Sequence, residues 1–147
     1  MILVKDVEQY DSDYVYFSNS MKNSIMKNGN FIKILYFTPL LRLNGIYLKI
    51  NITNYLNINT YRSDYNFNPF LYRELIEKIK NIEIDILRRS NIINKIPEYD
   101  LYNKLMRGNI KIMTDTIEDK FDNFIIKISG IWENEYKYGL NYKFIRK

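Results

Sequence analysis

Hydrophobic and polar side chains alternate without a break over residues 46–53: Ile46, Leu48, Ile50 and Ile52 take one side, Tyr47, Lys49, Asn51 and Thr53 the other. A period of two is that of a β-strand with one face in a core and the other turned to solvent or a ligand. Residues 31–38, Phe-Ile-Lys-Ile-Leu-Tyr-Phe-Thr, are also strand-like, and Pro39 ends them because it has no N–H to give a ladder. Between the two runs, Asn44-Gly45 predicts a tight turn, since both residues tolerate positive φ. Tyr14-Val-Tyr-Phe predicts a short strand, and residues 18–30 a polar loop or frayed helix.

The period changes after Asn68-Pro69, which supply an N-cap and a first-turn proline. Leu71, Leu75, Ile79, Ile82 and Ile86 recur at steps of three and four, so a helix with one apolar stripe is predicted over about 69–89. Arg88 and Arg89 fall where cations suit the helix dipole. Residues 55–68, rich in Asn and Tyr and without a period, predict a long functional or disordered connection. Beyond Pro97, residues 100–106 predict a weak helical turn ending at Gly108, 109–114 a strand and 115–120 an acidic loop. Two neighbouring strands, about 123–133 and 137–145, end the chain.

There is no internal repeat and no Gly/Pro/Ser-rich linker, so residues 1–147 read as one domain, with 1–30 an extension of undecided role. A helix placed mid-chain between two sets of strands is the order of an OB-fold. The expected class is therefore mainly β, an OB-fold-like five-stranded Greek-key barrel with one inserted helix. The alternative is an α+β open sheet.

Composition narrows the chemistry. With no Cys and no His, there is no disulfide, no thiolate or imidazole zinc site and no histidine-activated nucleophile. The carboxylates fall as Asp11/Asp13, Glu83/Asp85 and Asp115/Glu118/Asp119. They lack the arrangement of a nuclease and read as solvated charge; only the last group, in a loop, leaves a carboxylate-held cation open. No catalysis, cofactor or metal is expected. A net charge of +5, from 22 Lys+Arg against 17 Asp+Glu, invites polyanions moderately. No apolar run nears the roughly 20 residues that span a bilayer. The first residues set acids directly after a very short apolar stretch, so a soluble intracellular protein without a membrane partner is expected.

Aromatic residues make up 16% of the chain, 14 of them Tyr, partly through a bias towards Asn, Ile, Lys and Tyr. Rings interleaved with cations suit an unpaired nucleic acid, because rings stack on bases and cations offset phosphates. Tyr47 and Lys49 share the non-core side of the cleanest strand, and Lys33 joins them from its neighbour. Lys127 lies opposite Phe124, and Lys143 opposite Tyr142. Tyr61, Arg62 and Tyr65 alternate ring and cation in the long connection. Regular alternation from Phe124, Ile126 and Ile128 puts Trp132 on the core side, unless Gly130 marks a bulge that re-aims it. The candidate binding residues are Lys33, Arg42, Tyr47, Lys49, Tyr61, Arg62, Tyr65, Lys127, Trp132, Tyr142 and Lys143. Against them stand a packing Trp, ordinary solvated lysines and a compositional accident in the loop.

Several strings also resemble a known family. They are Ile34-Leu-Tyr-Phe-Thr, Asn44-Gly-Ile-Tyr-Leu-Lys-Ile, Ile82-Glu-Ile-Asp-Ile-Leu, Lys127-Ile-Ser-Gly-Ile-Trp132 and Tyr138-Gly-Leu-Asn-Tyr-Lys-Phe144. From Phe31 onward the chain resembles the OB-fold single-stranded-DNA-binding proteins of nucleocytoplasmic large DNA viruses, themselves similar to the replication single-stranded-DNA-binding protein of tailed phages. The resemblance implies an OB barrel that binds single-stranded DNA without sequence preference in replication, recombination or repair. It also implies replication proteins as partners and the infected-cell replication compartment as the place. RNA and a second copy of the chain stay open as partners. The phage proteins end in an acidic tail, whereas this chain ends Phe144-Ile-Arg-Lys, which puts a tail-mediated mechanism in doubt. The rival reading is a non-enzymatic viral interaction or structural protein whose aromatic sheet face meets another protein.

Overall fold

The computed structural model describes residues 5–19, 21–22, 29–52, 55–59, 64–113 and 124–146. Strands dominate, as the alternation predicts. β1 (Lys5–Asp6), β2 (Val15–Phe17), β3 (Met21–Lys22) and β4 (Asn30–Phe37) open the order. β5 (Arg42–Leu43), β6 (Ile46–Ile50), β7 (Tyr55–Asn59) and β8 (Asp64–Phe67) precede α1 (Arg73–Arg89). β9 (Ile96–Glu98), α2 (Asp100–Arg107), β10 (Asn109–Met113), β11 (Phe124–Glu133) and β12 (Lys137–Arg146) complete it.

The strands form one open mixed sheet organised around β11. β12 runs antiparallel along one side of β11. On the other side, the first half of β11 pairs with β6, from Phe124↔Ile50 to Ile128↔Ile46. Its second half pairs with β4, from Gly130↔Lys33 to Glu133↔Asn30. The change of neighbour coincides with a register shift between Ile128 and Gly130. Beyond β12 the path continues through β10 and β8 to β7, while β1 adds to β6 and β4 carries β2, β3 and β5. Of the two expected arrangements, the pairing among the described residues follows the open sheet; it does not trace a closed five-strand circuit.

The apolar sides of these strands and the two helices share one core. Ile46, Leu48, Ile50 and Ile52 are all buried, as the alternation requires. Ile76, Ile79, Ile82 and Ile86 of α1 and Leu101 and Leu105 of α2 pack into the same cluster as Ile126, Ile128, Leu140 and Phe144. Each such side chain contributes about 1.5–3 kcal/mol on burial. The Asn68 side chain accepts the Phe70 N–H at 3.1 Å, capping the helical start as expected. Residues 69–72 wind as a 3-10 turn, however, and this tighter pitch leaves Leu71 off the buried stripe and 60% exposed. Gly108, at φ +73°, ends α2.

Three sequence expectations are corrected. Residues 55–68 are not an aperiodic connection; they contain the antiparallel pair β7–β8, whose Tyr65 and Phe67 point into the core. Asn44-Gly45 does not join paired strands. β4 folds back on β5 through residues 38–41, where the Thr38 N–H donates to the Leu41 carbonyl at 2.9 Å. Gly45, at φ +107°, then redirects the chain into β6, and a Cβ there would sit 2.9 Å from the Ile128 carbonyl oxygen. Finally, Glu83 is not solvated charge. It is buried in α1, and its carboxylate accepts the N–H groups of Leu101 (3.1 Å) and Tyr102 (3.0 Å) in the first turn of α2. Burial pushes its pKa up to about 7 against the pull of those two donors, and Asp100 adds to the rise.

The described part of residues 1–30 belongs to the sheet through β1, β2 and β3. It is also tied to α1, where the Tyr10 hydroxyl donates to Asp85 at 2.8 Å and Arg89 donates to the Ser12 hydroxyl at 2.8 Å. No helix among the described residues is long and apolar enough to cross a membrane.

Candidate nucleic-acid interface

The side of the sheet away from the core is set by the register around β11. Lys127 stands between Lys143 of β12 and Tyr47 of β6, so these three side chains share that face. The Lys127 ammonium lies 5.6 Å from the centre of the Tyr47 ring. Such a cation–π contact contributes about 0.5–1 kcal/mol or somewhat more where, as here, both groups are half-buried. Lys49 follows two residues along β6.

The bulge decides what happens further along β11. Ile128 is buried, and after the register shift Ile131 is buried again, so the odd and even positions exchange faces. Trp132 is thereby turned to the outer face, paired with Phe31 on one side and Gly139 on the other. Its indole covers Gly139, where a Cβ would lie 3.0 Å from the ring. The Phe31 ring closes over Gly130 in the same way. Gly130 pairs with Lys33, which places Lys33 on this face too.

The outward positions of β4 carry the face onward. Phe37 pairs with Arg42, whose guanidinium sits 4.9 Å from the centre of the Phe37 ring. Tyr16, 49% exposed, stacks on Phe37 with centroids 5.2 Å apart and planes 30° apart. The outer face thus presents Lys33, Arg42, Lys49, Lys127 and Lys143 among Tyr16, Phe31, Phe37, Tyr47 and Trp132. None of those five cations is in an ion pair with a described residue. Two acids among the described residues share this face: Asp6, paired with Lys49, and Glu98, which pairs with Gly139 beside Trp132 and is held by Lys137 at 3.0 Å.

Of the eleven sequence candidates, seven fall on this surface: Lys33, Arg42, Tyr47, Lys49, Lys127, Trp132 and Lys143. Two do not. Tyr65 is 1% exposed, because the β8 register turns it into the core, so it is no stacking platform. Tyr142 lies on the core side of β12, edge-on to Phe144 at 5.6 Å, and its hydroxyl donates to Asp100 at 2.6 Å. Burial, with that bond, raises the Tyr142 pKa. Tyr61 and Arg62 lie outside the described residues, as does the acidic stretch Asp115/Glu118/Asp119. Sequence reasoning missed Tyr16, Phe31 and Phe37, although Phe31 and Phe37 stand at even steps from Lys33 on one strand. Among the described residues no three carboxylates gather as a metal site.

Comparison of the chain with family models, with known proteins and with solved structures finds no match.

Proposed function

We propose that the chain binds single-stranded DNA, with little sequence preference, across the outer face of β4, β6, β11 and β12. The reading rests on one observation: five cations without ion-pair partners among the described residues share a face with five aromatic rings. Rings of this kind accept any base, each stack being worth about 1–3 kcal/mol, and the cations follow the backbone phosphates. With no ion pair to a described residue, these cations have no carboxylate among those residues to give up before meeting phosphate; Lys127 and Arg42 are held only by their contacts with Tyr47 and Phe37. No catalytic step is part of the reading. Its setting would be DNA replication, recombination or repair, where unpaired strands are exposed.

Titration with fluorescein-labelled oligothymidine tests this. If all five cations meet phosphate, the slope of log affinity against log salt should be about −3.5, at about 0.7 per contact on a single strand. Trp132 fluorescence should be quenched in the same titration. Binding that ignores salt would refute the proposal and favour a protein partner for the aromatic face.

A further inference from the structure

We infer that the bound strand does not stop at the sheet face but continues over the edge of β12 into a groove beneath α2; this rests on the DNA-binding reading. On the side away from β11, β12 is paired by β9 at residues 137–139 and by β10 at 144–145. Between them, on that side, residues 140–143 have no strand partner among the described residues. A groove of about 340 Å³ opens at this gap, bordered by α2, β10 and the uncovered stretch of β12.

Its chemistry is that of a phosphate path. Lys104 of α2, Lys111 of β10 and Lys143 of β12 line it, and none of them is in an ion pair with a described residue. Asp100 is the one carboxylate among its described lining residues, and it is already engaged as acceptor for the Tyr142 hydroxyl. Trp132 and Lys143 belong both to the outer face and to the groove lining, so the two surfaces are continuous. A strand stacked on Trp132 meets Lys143 next, then Lys111 and Lys104. A peptide added to the edge of β12 would use the same gap. Three lysines against one occupied acid favour a polyanion instead.

The experiment uses the whole chain and its Lys104→Gln/Lys111→Gln double variant, compared by thermal melting to show that both are folded. Affinity is measured for oligothymidine of about 5 and about 15 nucleotides, the two ends of the site sizes that such surfaces cover. The long oligonucleotide should lose about 1.4 from its salt slope in the variant, two contacts at about 0.7 each. Its loss of affinity between about 50 and 200 mM salt then becomes roughly sevenfold smaller. The short one should bind both proteins alike. An unchanged slope for the long oligonucleotide overturns the groove and leaves the face reading standing. An equal reduction for both lengths also overturns it, because the lysines then act as diffuse charge. Failure of the parent protein to bind either length removes the face reading, and the groove with it.

Discussion

Replacing Glu83 with Gln should change how stability depends on pH. In the folded chain this carboxyl is buried, and burial, the largest influence, raises its pKa from an ordinary 4.5 to about 7. The folded state therefore keeps a proton that the unfolded state releases between those values. The stabilising contribution is full below about pH 4.5 and is lost as pH rises through about 7. At about 1.4 kcal/mol per pH unit, it amounts to about 3.5 kcal/mol in all, of which about 2.5 kcal/mol disappears between pH 5 and 8. Gln does not titrate. Its amide oxygen accepts only one of the two N–H groups that Glu83 now satisfies at 3.1 and 3.0 Å. The other is left facing an NH₂, at a cost of about 1–3 kcal/mol that does not vary with pH. Urea unfolding of both proteins, followed by circular dichroism from about pH 5 to 8, gives the difference in stability, in which every other titrating group cancels. That difference, parent minus variant, should fall by about 2.5 kcal/mol across the range. A difference that stays level would refute the argument. One that grows with pH would show that the two backbone donors outweigh burial.

Two further substitutions test the fold behind the site. Gly130→Ala should destabilise the chain by about 1–3 kcal/mol in urea unfolding, because the added methyl would meet the Ile32 carbonyl oxygen and the Phe31 ring; an unchanged midpoint would show that the bulge yields. Tyr65→Ala should cost about 3–5 kcal/mol through the cavity it leaves in the core, while DNA affinity of the folded fraction stays the same. The reverse outcome, full stability with weakened binding, would put Tyr65 back on the surface.

Local periodicity carried the elements whose partners do not alter it. β6 buries Ile46, Leu48 and Ile50, and Ile52 just beyond it is buried too, as the alternation marks, while α1 buries Ile79, Ile82 and Ile86 of its predicted stripe. The two terminal strands fall within a residue or so of their expected limits. β8 was harder to see because it is only four residues long, too short to separate a strand from an irregular loop. Glu83 had a visible signal. It stands four residues after Ile79 and three before Ile86, inside the apolar stripe, where a carboxylate needs donors brought by another element. Which donors these are depends on α2, and nothing local to residue 83 names it.

The site shows the same division at closer range. Lys33, Tyr47, Lys49, Lys127 and Lys143 were legible because each lies on a strand whose opposite side is plainly apolar. Trp132 was not, because its direction depends on a single extra residue. Counting by twos from Phe124, Ile126 and Ile128 lands Trp132 in the core, and only the register shift before Gly130 reverses the count. That shift is also where β11 exchanges β6 for β4 as its neighbour. A bulge deepens the local twist, which lets one strand serve two partners that diverge. Gly130 is suited to the position because the Phe31 ring and the Ile32 carbonyl occupy the space of a side chain. The device that joins the two halves of the sheet is therefore the one that turns the indole outward. A variant that regularised β11 would be expected to lose the β4 pairing and the Trp132 platform together, not one without the other.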